Sequence, residues 1–400
     1  MIYLDHAATT PLDPAVLKKM MPFFSARFAN PASVHTPGQA ALKAVDDARY
    51  RIASLLETAG SEIVFCSGST EANNLALHGV IEASGCRQPH IITTAVEHSS
   101  VLEPLAYLAS RGAKVTYLPV DQRGCITPDS LLAAITPETV LVSIALANSE
   151  TGVIQPLKKI GRLLRKHNDR VQAAWLNTSP RKRGVQPRRV LFHSDATQAP
   201  NLLDCRPGQY LLDLLSLSGH KMYGPKGIGL LFIRQGVTLS PLLRGGHQER
   251  NIRSGTVNVP GVIGLAAALE RAVLKRPALT LQLSRLRDRL ASQIMQHIPS
   301  AVINTDSSIS LASHLNVSFP GLDGEALLSA LDEEGIAVST GSACASGDVS
   351  VSPVLRAMGR SEATARAALR FSLGRATSAA DITAVMVALR RLTKSVALRA

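Results

Sequence analysis

Apolar residues in this chain follow two alternating rhythms. Short, nearly continuous apolar runs bounded by Ser, Gly, Asn or Asp occur at Glu62–Cys66, His90–Thr94, Lys114–Leu118, Val140–Ala145, Val190–His193, Leu212–Leu217 and Gly229–Ile233. Runs of this length with such borders predict buried strands. Between them, apolar residues recur at helical spacing over Thr70–Ala83, Ser100–Arg111, Thr127–Ile135 and Leu157–His167. Upstream, Pro37–Leu56 keeps Ala40, Ala41, Ala44, Val45, Ala48, Ile52 and Leu55 on one helical face. Strands alternating with helices predict an α/β fold, a mostly parallel seven-stranded sheet between helices. Residues 1–13 read as a short strand and turn, Asp13–Phe24 as a short helix and Phe28–His35 as a loop. Downstream, a long helix begins at Val257 and a separate amphipathic helix is expected at Leu279–Ile298. The strand His314–Phe319 and the helix Gly324–Glu334 then give a smaller α+β domain. The expected division is a large domain over 14–263 and a small one built from 1–13 and 264–400.

One connection stands out. Between the helix Leu157–His167 and the strand Val190–His193 the chain reads NDRVQAAWLNTSPRKRGVQPRR. It holds Trp175, the basic run Arg181-Lys182-Arg183, and then Arg188 and Arg189. Pro180, Gly184 and Pro187 predict a long surface loop. Its sharper reading is a docking loop for an acidic partner.

Candidate chemistry collects at strand ends, where ligands sit in open α/β sheets. Lys221 follows the run Leu211–Leu217 through Ser218-Gly219-His220 and precedes Gly224, Pro225, Gly227 and Gly229. A lysine at the end of a buried strand is placed against a ligand; burial lowers its pKa, and the neutral amine forms Schiff bases with aldehydes. Asp195 ends the neighbouring run in VLFHSDATQ, with Gln198 spaced to reach a ring hydroxyl. Pyridoxal phosphate needs this lysine–carboxylate pair, because the carboxylate keeps the pyridine nitrogen protonated. Ser69 and Thr70 open a helix after the strand Glu62–Cys66, and the free amides there suit a phosphate. A nucleotide-binding phosphate loop is not supported, since Gly219–Gly224 runs into Pro225-Lys226.

These stretches, taken in order, resemble the cysteine desulfurases, pyridoxal-phosphate enzymes of the class V aminotransferase group. The resemblance runs through Tyr3–Pro11, Asn30–Ser33, Ser67–Asn74, Glu97-His98, Asp195–Gln198, Ser218–Lys221, Arg253–Thr256, Gly341–Cys344 and Arg370–Arg375. It implies that Ser69, Thr70, His98, Asp195, Gln198, Ser218, His220 and Lys221 hold the cofactor, with His98 over the ring and handling protons. It implies that Thr256 reaches the phosphate in a neighbouring subunit, hence a homodimer. It implies that Arg370 binds the carboxylate of L-cysteine and that Cys344 takes its sulfur as a persulfide, leaving L-alanine. Small residues flank Cys344 in STGSACASG, which suits a mobile, exposed thiol. At ANSETG the family usually has two adjacent asparagines; the resemblance implies substrate contacts from Asn148 and from Ser149, which takes the second place with a shorter hydroxyl contact. The acceptor implied is a protein of iron–sulfur assembly or thiolation. A selenocysteine lyase and a weakly active sulfur-carrier scaffold are the competing readings.

Composition narrows this further. Five cysteines, an odd number without a C-x-x-C pair, argue against a disulfide framework or a metal site. A reducing cytoplasm is expected, with no leader segment before Ile2-Tyr3-Leu4 and no apolar run long enough for a bilayer. The formal charge of +13 favours acidic partners, although no nucleic-acid-binding motif is present.

Overall fold

The computed structural model describes residues 1–178, 188–340 and 351–397. The strands are β1 (Ile2–Tyr3), β2 (Ile63–Cys66), β3 (His90–Thr94), β4 (Lys114–Leu118), β5 (Thr139–Ser143) and β6 (Leu191–Asp195). They continue with β7 (Leu214–Ser218), β8 (Gly229–Ile233), β9 (Val302–Ile303), β10 (His314–Ser318), β11 (Ile336–Ala337) and β12 (Ala368–Ser372). Seven of them form the expected sheet in the order β2-β8-β7-β6-β5-β3-β4. All neighbours are parallel except β8, which runs antiparallel to β2 and β7. Every residue of β2, β3, β5, β7 and β8 is buried, because helices cover both faces. β4 lies at the sheet edge and is partly exposed.

A second core forms on the three-stranded antiparallel sheet β12-β10-β9, with Leu315, Val317, Leu369 and Phe371 at its centre. The N-terminal strand β1 pairs parallel with β11, so the first residues of the chain join its last third.

Two sequence expectations are corrected. The helix expected to end at His167 continues to Asn177, so Trp175 is helical and not part of a loop. Val-Gln-Ala-Ala favours helix, and Asn168 ties the extension to β6 by exchanging two 3.0 Å hydrogen bonds with the Val190 backbone. Residues 179–187, with the basic run Arg181–Arg183, lie outside the described residues. The separate helix expected at Leu279–Ile298 is likewise the second half of one helix, Val259–His297. Pro277 lies inside it without ending it. Leu265 and Leu269 anchor one half in the large core, and Leu283, Leu290 and Ile294 the other half in the small one. Burial on both sides outweighs the hydrogen bond that proline removes.

Two buried carboxylates fix the top of the sheet. Glu97 accepts from the Thr94 hydroxyl (2.7 Å) and the Ala145 amide (3.0 and 3.1 Å), stapling the ends of β3 and β5. Burial pushes its carboxyl up to about 8, aided by the nearby Asp195 charge and opposed by the bonds from Ala145 and Thr94. Glu249 accepts two bonds from Arg49 (2.8 and 2.6 Å) and one from the Phe65 amide (2.9 Å). This clamp holds Glu249, Arg250 and Asn251 at φ values of 45°, 58° and 63°, a left-handed run that non-glycine residues adopt only when surrounding structure enforces it.

Both carboxylates make testable predictions. The Glu97 pKa is raised from 4.5, so its contribution is fully present below that value and is lost as pH rises through about 8. The melting temperature should therefore fall more steeply between about pH 5 and 8 in the native protein than in Glu97→Gln; parallel curves would refute this. Glu249→Ala strands a buried guanidinium and should cost about 3–5 kcal/mol in urea unfolding, with Glu249→Gln losing less.

Candidate active site

β6 and β7 are adjacent and parallel, so their C-terminal ends open on the same edge. Asp195 is the last residue of β6, and Lys221 closes the 3-10 turn Gly219–Lys221 that follows β7. The two line one cleft of about 230 Å³. Ser69, Thr70 and His98 form part of its wall, as do Gln198 and His220. Asn148 and Ser149 complete the far side.

Asp195 is 7 % exposed, and a carboxylate so buried needs donors. Its Oδ2 accepts from Asn73 Nδ2 (2.8 Å) and its Oδ1 from the Thr197 amide (2.9 Å). Asn73 also donates to the Ser100 hydroxyl (2.9 Å), which lies 2.8 Å from His98 Nδ1. That nitrogen also caps the helix Ser99–Ser110 by accepting the Ser100 amide at 3.0 Å. A backbone N–H can only donate, so neutral His98 carries its proton on Nε2. Burial holds its pKa below the ordinary value; Lys221 acts in the same direction and Asp195 against it.

The Lys221 amine donates to the Ala7 and Ala8 carbonyls, the latter at 2.9 Å. The segment that supplies them is held by the His220 carbonyl, which accepts from the Thr10 amide and hydroxyl. Burial, with the Lys221 and Lys226 charges, pushes His220 down to about 4. Gln198 donates to the Ala7 carbonyl at 3.0 Å.

The helix Ser69–Ser84 starts at Gly68 without a side-chain cap, so its first amides are available to an anion. Gly229 makes this start possible, because a Cβ there would lie 2.7 Å from Gly68 Cα. Glu71 accepts from the Ser67 amide (2.7 Å) and pairs with Arg253 (2.7 Å), joining this turn to the 243–256 arch. Ser218 is buried beside Gly68 and is not on the cleft wall.

Two further expected residues, Arg370 and Thr256, are not on the cleft wall. Arg370 is buried behind Ser149, donating from Nη1 to the Ser149 carbonyl (3.1 Å) and from Nη2 to Asp5 (2.7 Å). Its Nε has no partner among the described residues. Thr256 is exposed and away from this cleft. Cys344 lies outside the described residues.

Sequence reasoning missed Asn73, Ser100, Asp5 and Glu150. Asn73 and Asp5 lie within motifs noted for other reasons, but their contacts span 122 and 365 residues, and no local signal marks them.

The residues present fit pyridoxal phosphate. An amine, a donor-held carboxylate, a flat imidazole and an uncapped helix start share one cleft, and the buried Thr197 Oγ1 on its wall has no partner among the described residues. Among the described residues no group of His, Cys, Asp or Glu is arranged to hold a metal, and no helix is long and apolar enough to cross a membrane.

Comparison with known proteins agrees with this chemistry. The family profile "Aminotransferase class-V" matches residues 2–174 and 182–385. The cysteine desulfurase IscS of Dictyoglomus turgidum is 39 % identical over 98 % of this chain and 94 % of its own. A solved NifS-like protein superposes with a TM-score of 0.89 at 36 % identity, covering 98 % of this chain and 99 % of that one. A structure described as SspA in complex with cysteine follows at TM-score 0.78 and 35 % identity, covering 93 % and 99 %. The chain belongs to the class-V aminotransferase family and, within it, to the pyridoxal-phosphate-dependent cysteine desulfurases.

Proposed function

We propose that this protein converts L-cysteine to L-alanine and leaves the sulfur as a persulfide on Cys344 for an acceptor protein. The observation that carries this reading is the convergence of Lys221 and Asp195 on one cleft at the ends of β6 and β7. Pyridoxal phosphate, when bound, supplies an electron sink for the substrate α-carbon. Asp195 would face the pyridine nitrogen, and the first amides at Ser69 and Thr70 would take the phosphate, with Ser218 and His220 supporting them. Gln198 would bind the ring hydroxyl. His98, on the cleft wall, would face the bound ring. The Lys221 amine removes the α-proton and returns it. Arg370 holds the substrate carboxylate from behind Ser149, with Asn148 shaping the turn. The Cys344 thiolate attacks the substrate sulfur; an S–S bond forms as the C–S bond breaks. The electron pair stays with the carbon skeleton, which is protonated and leaves as alanine.

In this reading residues 14–263 carry the cofactor and the remainder carries the thiol. Thr256, on an exposed arch, serves the second site of a homodimer. The exposed Phe24, Phe28 and Val34 favour burial against a second copy. The free thiols Cys66, Cys86, Cys125 and Cys205 favour a reducing cytoplasm. The acceptor, in iron–sulfur assembly or thiolation, is acidic where it docks. The helix Leu157–Asn177 buries Leu157, Ile160 and Leu164 and exposes Lys158, Lys159, Arg162, Arg165, Lys166 and Arg170.

The decisive assay follows alanine and sulfide release from L-cysteine with a reductant, beside L-selenocysteine. Turnover of cysteine is expected. Cys344→Ala should keep the cofactor absorbance and lose sulfur transfer; sulfur transfer at the native rate would sink the assignment. Reversing Arg162, Arg165 and Lys166 to Glu should leave reductant-driven turnover unchanged and weaken acceptor-stimulated turnover, most clearly at low salt. Equal stimulation would remove the docking role.

A further inference from the structure

The turn Ala147–Gly152 has a construction that its place on the cleft wall does not explain. Asn148 is spent on building it. Its Nδ2 donates to the Val96 carbonyl (2.9 Å), and its Oδ1 accepts the amides of Glu150 and Thr151 (2.8 Å each) and the Thr151 hydroxyl (3.1 Å). Held this way, the turn points two groups out of the cleft. The Ser149 carbonyl receives Arg370. The Glu150 carboxylate accepts the Ser352 hydroxyl at 2.5 Å, and both residues are buried.

Ser352 is the N-cap of the helix Pro353–Ala357, accepting the Leu355 amide at 3.1 Å. Val354 and Leu355 of that helix pack with Val96, the residue that also receives Asn148. The C-terminal border of the Cys344 segment is therefore fixed to the turn by one hydrogen bond and one apolar cluster. The N-terminal border is fixed beside it, since Ser339 exchanges two backbone hydrogen bonds with Arg370 (3.2 and 2.6 Å). Cys344 lies in sequence between these two borders. Burial raises the Glu150 carboxyl to about 7, while the Ser352 bond and the Arg370 charge oppose the rise. Among the described residues Ser352 is the one side-chain donor to this buried carboxyl, so the contact is what offsets the cost of burying it.

We propose that Glu150 is a positioning residue for sulfur transfer: through Ser352 it ties the far end of the Cys344 segment to the turn that receives the substrate arginine. The inference rests on the roles given above to Cys344 and Arg370. The residues that border the Cys344 segment, Ser339 and Ser352, and the substrate arginine are thereby all joined to one six-residue turn.

The test uses the cofactor-loaded enzyme and its variants Glu150→Ala, Glu150→Gln, Ser352→Ala and the double alanine variant. Glu150→Ala and Ser352→Ala should keep the cofactor absorbance and a KM for L-cysteine within about twofold while kcat for alanine formation falls about tenfold or more, the scale expected for a misplaced reacting group. The double variant should be no worse than either single one, because both remove the same contact. Glu150→Gln keeps an acceptor for the Ser352 hydroxyl and should retain most of the rate. If Glu150→Ala loses its cofactor, Glu150→Gln and Ser352→Ala decide the matter. Native kcat in Ser352→Ala, a Glu150→Gln variant as slow as Glu150→Ala where that variant keeps its cofactor, or a raised KM at unchanged kcat would each overturn the proposal. Cys344→Ala run alongside separates the two levels. If it is inactive while the Glu150 and Ser352 variants are fully active, only the tether fails. If it remains active, the thiol assignment fails instead.

Discussion

A negative charge buried at the end of a strand is the constraint around which this protein is arranged. Asp195 lies where water is nearly excluded, and its charge is stable there only while donors face it. Asn73 reaches it from the helix Ser69–Ser84, and the Thr197 amide reaches it from the turn after β6. Asn73 in turn contacts Ser100, and Ser100 contacts His98, so the helix starts after β2 and β3 are both indexed to this carboxylate. The anion site at Gly68, the imidazole and the amine after β7 thus take their positions from the same sheet register. Moving any of these strands by one residue would break several contacts together.

A second organising piece is the Ala147–Gly152 turn, where the two cores meet. It presents the Ser149 carbonyl to Arg370 and the Thr151 carbonyl to Thr305, and Val153, just after it, bridges to Ser310. Gly152 adopts φ +76° against His314, where a Cβ would lie 2.6 Å from the His314 Cβ. Asn148 therefore reads differently from the expectation of a substrate contact. Most of its hydrogen-bonding capacity goes into shaping the backbone, and the cleft receives what that shape presents.

Much of the fold was legible because its signals are local. β3, β4 and β8 begin and end where the apolar runs do, and Asp195 and Lys221 stand out because strand-end chemistry is written in adjacent residues. The misread parts obey non-local physics. Pro277 reads as a break, but apolar contacts on both sides keep the helix Val259–His297 whole. Asn168 and Asp169 read as the end of a helix, yet Asn168 bonds the backbone of Val190, which the sequence places 22 residues away. Arg370 was recognisable through the resemblance alone. Its partner Asp5 lies at the other end of the chain, and only the pairing of β1 with β11 and the Asp5–Ser372 bridge bring them together.

The 39-residue helix Val259–His297 has a mechanical consequence. At about 1.5 Å per residue it is a spar of nearly 60 Å embedded at one end in each core. Two hydrophobic cores in one chain ordinarily melt in two steps when a flexible linker joins them. Here, loosening either core unpacks half of a helix that the other core needs, so the loss is shared. A helix shared in this way favours one cooperative unfolding step over two.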